Sequence, residues 1–410
     1  MSSTQKDNTI ALDLASFTKE EIISASISTA VSMELPIAIW RMPHQSEIHL
    51  TISLGNARKL EKIDIDDLGT GFLFAPFHFG NLPALFIDAD FSLSFDFEEV
   101  IQEHKTGKDE SNDELGVLKA KFEGFLSQKS KVHSYHINPE KGLLSDTDYH
   151  KLIEKSVLAI NENHFDKVVP ARTKEISLAE GFNPVELLLN LCDSYANAFV
   201  SFVSIPEKGT WIGATPEVLI EKRQDSFKTI ALAGTQRIDP LKSISDTSWT
   251  QKEIEEQAMV SRYIINCFKK IRLREFEEVG PKTVKAGNLL HLKTSYAVNT
   301  ADTNFPELAT VMLELLHPTS AVAGMPKEEA LSFLDIHEGI DREFFSGFLG
   351  PVNVENSTDL FVNLRCMQLL ENKAILYAGA GVTLDSQPEK EYQETELKFN
   401  TLLNILNKSL

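Results

Sequence analysis

The chain is poor in cysteine, in long apolar runs and in positive charge, and each shortage removes a class of protein. Three cysteines stand apart in 410 residues, Cys192, Cys267 and Cys366, with no CxxC pair among them. That spacing excludes a disulfide frame and a cysteine zinc site, and isolated thiols suit a reducing compartment. No apolar stretch approaches the ~18 residues that would span a bilayer. The opening Met1-Ser2-Ser3-Thr4-Gln5-Lys6-Asp7 lacks the apolar centre of a signal peptide. A cytoplasmic protein without membrane contact is expected. The formal net charge of -20 argues against a nucleic-acid surface, which needs clustered cations. Dinucleotide binding finds no support, because Gly379-Ala380-Gly381 falls short of the GxGxxG fingerprint.

What is present suits a large folded core. Hydrophobic residues make up 42% of the chain and charged residues 24%, which argues against wholesale disorder. Length alone suggests two or three domains. No internal repeat supports such a division, and the polar stretch 102–114 reads as a solvated loop. One domain over 1–410, with a variable first part at 1–140, is the simplest organisation. Strands are expected at 71–77, 91–97, 165–169, 198–203, 229–232, 360–364 and 374–378. A helix capped at Ser145 or Thr147 should bury Leu152, Ile153, Val157, Leu158 and Ile160. Long helices should follow Lys252 and Glu389. Strands and helices mix without strict alternation, so the fold class is α+β with large, mostly antiparallel sheets.

Several residues could carry chemistry, each with a plainer reading beside it. Glu253 and Glu256 lie three apart in one helical stretch, and Glu391 and Glu394 repeat the spacing in another. Each pair would project from nearly one helix face. Two such pairs could offer hard oxygen ligands to one Mg²⁺. Spacing alone favours two solvated acidic faces, since exposed glutamates are the norm. Lys167 precedes a β-branched pair and could serve as a base, or could simply cap a strand edge. Glu217 follows the turn Gly213-Ala214-Thr215-Pro216 and is either a buried general acid or a polar turn residue. Gly234-Thr235 and Gly379-Ala380-Gly381 could present backbone N–H groups to an anion, although glycine turns commonly end strands. His133 and His136 have a metal-pair spacing but no third ligand, and read as surface histidines.

In chain order these fragments resemble the chorismate-binding enzymes, and most closely their isochorismate synthase branch. The resembling stretches are KVVPAR (167–172), GATPE (213–217), LAGTQ (232–236), KEIEEQ (252–257) and HPTSAVAGMP (317–326). DREFFSG (341–347), LRC (364–366), AGAG (378–381) and EYQETELK (391–398) follow. They fall within a catalytic core at 145–406. Each is weak alone, but nine in order reverse the plainer readings.

The resemblance implies an anthranilate synthase component I-like fold of stacked sheets flanked by helices. It implies that Glu256 and Glu394 bind Mg²⁺, with Glu253 and Glu391 as further or water-mediated ligands. The metal would hold the ring carboxylate of chorismate. Arg365, Lys398 and the backbone near Gly381 would hold the enolpyruvyl carboxylate, while Gly234, Thr235 and His291 line the ring site. Lys167 would deprotonate a water that attacks C2, and Glu217 would protonate the departing C4 hydroxyl. That chemistry needs a neutral lysine and a protonated glutamate in one site, and burial favours both neutral forms.

Two positions separate the branches. Ammonia-using relatives usually carry glutamine at the place of Lys167, and the aminodeoxychorismate branch usually has a nucleophilic lysine where this chain has Ala233. Water is therefore the expected nucleophile, and neither a glutaminase partner nor an oligomer is expected. Ala321 resembles isochorismate synthases, whereas salicylate-forming relatives tend to have threonine there. A menaquinone pathway is expected, with catechol siderophore synthesis as the alternative. The rival activities are a salicylate synthase, an aminating synthase and a non-catalytic chorismate binder. Two departures stand out: Gln257 replaces a common histidine, and Pro170 replaces an aliphatic residue and should therefore sit at an edge or bulge.

Overall fold

The computed structural model describes residues 14–96, 100–104, 113–129, 131–132, 134–138, 146–238, 243–286, 289–303 and 305–407. Two sheets of nine strands each, all paired antiparallel, dominate the fold. The first orders its strands Val100–His104, Phe91–Phe95, Ile48–Ile52, Ile37–Arg41, Phe199–Ile205, Gly209–Thr215, Cys366–Leu369, Lys373–Gly379 and Ala171–Ser177. The second orders Glu277–Ala286, Leu289–Asn299, Ser226–Arg237, Val218–Arg223, Thr358–Val362, Phe348–Val352, Gly71–Ala75, Ala84–Asp88 and Arg58–Leu60.

Strand periodicity explains the layering. In Ile37–Arg41, Ala38 and Trp40 face the second sheet, while Ile37 and Ile39 face helices outside. In Gly71–Ala75, Phe72 and Phe74 face inward, and Leu73 and Ala75 face the other helical layer. Such alternation with period two lets each strand bury both faces. The inner layer is aromatic, with Phe74 stacked on Phe344 at 3.9 Å and Phe199 on Phe361 at 4.2 Å between ring centroids. Helices Lys19–Ser32, Asp113–Ser127, Pro184–Ser194 and Pro388–Leu406 cover the first sheet. Gln251–Lys270 and Leu308–Leu316 cover the second, and Asp146–Asn161 and Lys327–His337 join the same apolar cluster. The expected stacked sheets with helices outside are thus present.

Some local expectations change. The stretch 102–114 is not one loop: residues 102–104 end the strand Val100–His104, and Asp113 opens a helix, with 105–112 outside the described residues. Helix Asp146–Asn161 begins before Thr147, and Ser145 also lies outside the described residues. Leu158 is 57% exposed, while Ser156 is buried in its helix by donating to the Leu152 carbonyl at 2.8 Å. His136 is no surface histidine, since its Nε2 bonds the Leu35 carbonyl at 3.1 Å and burial lowers its pKa. His133 is not among the described residues. Pro170 sits where the chain leaves a two-residue ladder, Lys167–Val168, and enters the edge strand Ala171–Ser177, so no ladder donor is lost.

One topological feature creates the site. The chain passes from the first sheet to the second at Pro216-Glu217, and back again at Asn363-Leu364-Arg365. The two crossings are bonded together. Thr215 Oγ1 donates to the Val362 carbonyl at 2.6 Å, Val362 N–H to the Glu217 carbonyl at 2.9 Å, and Ala214 N–H to the Arg365 carbonyl at 3.1 Å. A cleft opens where both strands change sheets.

Candidate active site

Glu217 and Arg365 stand on these two crossings and line one cavity. Arg365 has φ of 49°, a left-handed conformation that disfavours a branched side chain and often marks functional positions. Burial works against its charge, while Glu394 and Glu217 support it. Glu217 is 8% exposed. Burial raises its pKa to about 7, against the pull of Arg365, Lys398 and Lys167. A carboxyl in that range can hold a proton and release it, as general acid catalysis requires.

Lys167 enters from the short ladder with Gly324–Met325 and is 3% exposed. Two glycines make room for it. A Cβ on Gly381 would stand 3.0 Å from Lys167 Cε, and one on Gly324 would collide with the Lys167 carbonyl at 2.3 Å. The same point on Gly381 lies 3.7 Å from Glu256 Oε1, so lysine and glutamate face a common space. Glu256 comes from helix Gln251–Lys270, whose neighbour Gln257 is buried against the second sheet. Gln257 Nε2 donates to the Ala231 carbonyl at 3.2 Å and to Thr294 Oγ1 at 2.9 Å. The glutamine that replaces a histidine therefore seats the helix on two strands.

Helix Pro388–Leu406 supplies the opposite wall. Glu394 and Lys398, one turn apart, pair at 2.7 Å, and Lys398 also donates to the Gly379 carbonyl at 2.7 Å. Burial disfavours the Glu394 charge, but Lys398, Lys252 and Arg365 prevail and lower its pKa. Burial raises the pKa of Glu256, and the Glu394 charge adds to this against Lys167.

Glu253 and Glu391 do not line the cavity. Glu253 occupies the third position of its helix and reaches back to Thr250 N–H at 2.8 Å in a capping box. Glu391 is 1% exposed and pairs through Oε1 with Lys252 at 2.9 Å, leaving a buried Oε2 without a hydrogen-bond partner.

His291, Gly234, Thr235 and Ala321 also line the cavity. Gly234 has φ of 67°, and a Cβ there would press on Glu253 Cβ at 3.0 Å. Its carbonyl lies 2.8 Å from His291 Nδ1. Burial and then Arg365 lower the His291 pKa to about 4, so the ring is neutral. A neutral ring facing a carbonyl through Nδ1 carries its proton there, which leaves Nε2 as a buried acceptor without a partner. Residues given no role above also line the cavity, among them Arg342, Ser346 and Tyr377. Arg342 and Ser346 lie inside the DREFFSG stretch, so only the motif marked them. Tyr377 had no mark beyond its strand.

Three basic side chains, Lys167, Arg365 and Lys398, therefore meet three acidic ones, Glu217, Glu256 and Glu394, of which Glu217 exchanges its proton near neutral pH. This offsets locally the chain's overall charge of -20. The donor set also suits a hard divalent cation. Two partly buried glutamates from different helices line the cavity, the Glu394 charge helping to raise the Glu256 pKa, and Glu391, on the helix of Glu394, leaves a buried carboxylate oxygen without a hydrogen-bond partner. Mg²⁺ takes one or two protein carboxylates and keeps its other positions for water and substrate oxygens. Among the described residues no three acidic, histidine or cysteine side chains form a metal cluster, so a site here would be of that open kind.

The chain is 26% identical over 281 residues to the isochorismate synthase EntC of Escherichia coli, covering 67% of this chain and 71% of that enzyme. It is 29% identical over 297 residues to the isochorismate synthase DhbC of Bacillus subtilis, covering 70% and 73%. Its fold matches the solved structure of MenF, the menaquinone-specific isochorismate synthase of Escherichia coli, with a TM-score of 0.71 at 21% identity over 95% of this chain and 92% of that one. Residues 96–407 match the family described as chorismate binding enzyme, and the chain belongs to that family.

Proposed function

We propose that the chain is an Mg²⁺-dependent isochorismate synthase. The observation that carries the reading is the placement of Lys167 and Glu217 on one cavity, with the Glu217 pKa raised to about 7 by burial. The relatives named isochorismate synthase support it, as does the absence of a lysine at Ala233.

In this reading Lys167 takes a proton from a water whose oxygen attacks C2 of the chorismate ring. Both ring double bonds shift, from C1=C2 and C5=C6 to C6=C1 and C4=C5, the C4–O bond breaks, and Glu217 gives its proton to the departing hydroxyl, which leaves as water. One water enters and one leaves, so the product is an isomer. Arg365 and Lys398 hold the enolpyruvyl carboxylate, while Gly234, Thr235 and Ala321 shape the ring pocket. His291 Nε2, a buried acceptor, is free to receive a substrate hydroxyl. Glu256 and Glu394 would hold Mg²⁺, which when bound supplies positive charge for the ring carboxylate. The reaction needs no ammonia and no glutaminase.

Reaction in H₂¹⁸O tests the nucleophile. Isochorismate should gain one ¹⁸O at C2 from the first turnover. Unlabelled product would exclude water as the attacking group.

A further inference from the structure

The segment that carries Lys167 changes partners immediately after the lysine. Lys167–Val168 pairs with Gly324–Met325, whereas Ala171–Ser177 belongs to the edge of the first sheet. Two side chains from residues 338–342 hold the transition between them. Ala171 N–H donates to Glu338 Oε1 at 2.6 Å, and Arg342 donates from its NH2 nitrogen to the Val169 carbonyl at 2.7 Å. Arg342 grips Glu338 by two bonds, at 2.7 and 2.6 Å. Its NH1 nitrogen donates to the Val322 carbonyl at 2.9 Å, next to Ala321. The guanidinium lies over the Phe77 ring at 4.2 Å, and Glu338 and Arg342 are 4% and 2% exposed.

We propose that Glu338 and Arg342 are positioning residues, which fix the Lys167 segment and the Ala321 wall at one spacing across the cavity. This rests on the reading of Lys167 as the base. Stability does not account for the pair, because the cost of desolvating two charges commonly cancels their attraction, and an apolar pair of similar volume often serves as well. What the pair supplies is a rigid planar fork. Four of the five guanidinium N–H groups are committed to Glu338, Val169 and Val322, which join two separate backbone segments through one side chain. A lysine at 342 keeps the charge but cannot span the three acceptors in fixed directions. A shift of about 1 Å at a reacting group can cost ~10²-fold in rate, so the loss should fall on turnover rather than on binding.

The test compares Arg342→Lys, Glu338→Gln and Lys167→Ala, alone and as the double variant Arg342→Lys/Lys167→Ala. Asp359→Asn serves as the control. It weakens the pair of buried Asp359 with exposed Arg223 (2.8 Å) in the second sheet, outside the cavity lining. Arg342→Lys should lower kcat about 30- to 100-fold with KM and the chorismate Kd within about 3-fold. In the Lys167→Ala background the same change should add little, because it acts through the lysine. The control should melt earlier yet keep its kcat. Wild-type kcat in Arg342→Lys overturns the inference. So does a kcat that merely follows melting temperature across all variants, or full additivity with Lys167→Ala. If Lys167→Ala itself turns over normally, the base assignment fails, and that result is separate from the others.

Discussion

At the residue scale the account turns on two buried groups with opposite duties. Lys167→Ala should reduce kcat by about 10²- to 10⁴-fold, the usual range for a proton-transfer group, while chorismate still binds in a calorimetric titration. Normal turnover would remove Lys167 as the base. Glu217 must be protonated to act, and its pKa is raised to about 7. The free enzyme's kcat/KM should accordingly fall as pH rises through about 7, and the residual activity of Glu217→Gln should lose that limb. A limb that persists unchanged in the variant would assign the titration to another group. Ala321 lines the cavity beside Val322, so Ala321→Thr places a hydroxyl against the ring. Pyruvate release from isochorismate should rise above background in a coupled assay if this position separates the two branches.

At the scale of elements, two helices carry the four glutamates, yet only Glu256 and Glu394 reach the cavity. Glu256→Gln should abolish turnover or greatly weaken its dependence on Mg²⁺. Glu253→Ala should leave that dependence intact and remove the reciprocal capping bond, read as a lower melting temperature. Equal effects of both changes on the Mg²⁺ response would contradict the placement. Helical spacing identified both pairs, and the sequence also contained the reason one of them diverges. Thr250-x-x-Glu253 is a capping-box pattern, and the capping bond turns Glu253 back to its own helix start. Periodicity likewise found the face of helix Asp146–Asn161 but not its limits. Leu158 lies outside the buried face, and Ser156 joins it by satisfying its hydroxyl within the helix.

At the scale of the molecule, strand runs such as Gly71–Ala75 were legible locally, whereas the face-to-face stacking that buries both their faces was implied only by the family resemblance. The meeting of Glu217 and Arg365 did not follow from local pattern. It depends on two sheet crossings separated by well over a hundred residues, and only the order of motifs brought them together. Glu338 and Tyr377 were silent in sequence for the same reason.

Buried neutral histidines should make the fold sensitive to acid. Burial lowers His291 to about 4 and His317 to about 3 from an ordinary 6.5. The unfolded chain then binds protons more readily than the folded one, so stability is complete above about pH 6.5 and falls as pH drops from there toward 4 and 3. His317 bonds the Phe77 carbonyl at 3.0 Å and does not line the cavity. His317→Gln should flatten the fall in melting temperature between pH 6.5 and 4. An unchanged slope would place the acid sensitivity elsewhere.

The central claim is that this cavity isomerises chorismate with water as the nucleophile. The most direct measurement incubates the purified protein with chorismate and Mg²⁺, with and without ammonium, and identifies the products by chromatography. The account expects isochorismate in equilibrium with chorismate, unaffected by ammonium and without stoichiometric pyruvate. Salicylate with pyruvate, an aminated product or unchanged chorismate would contradict it.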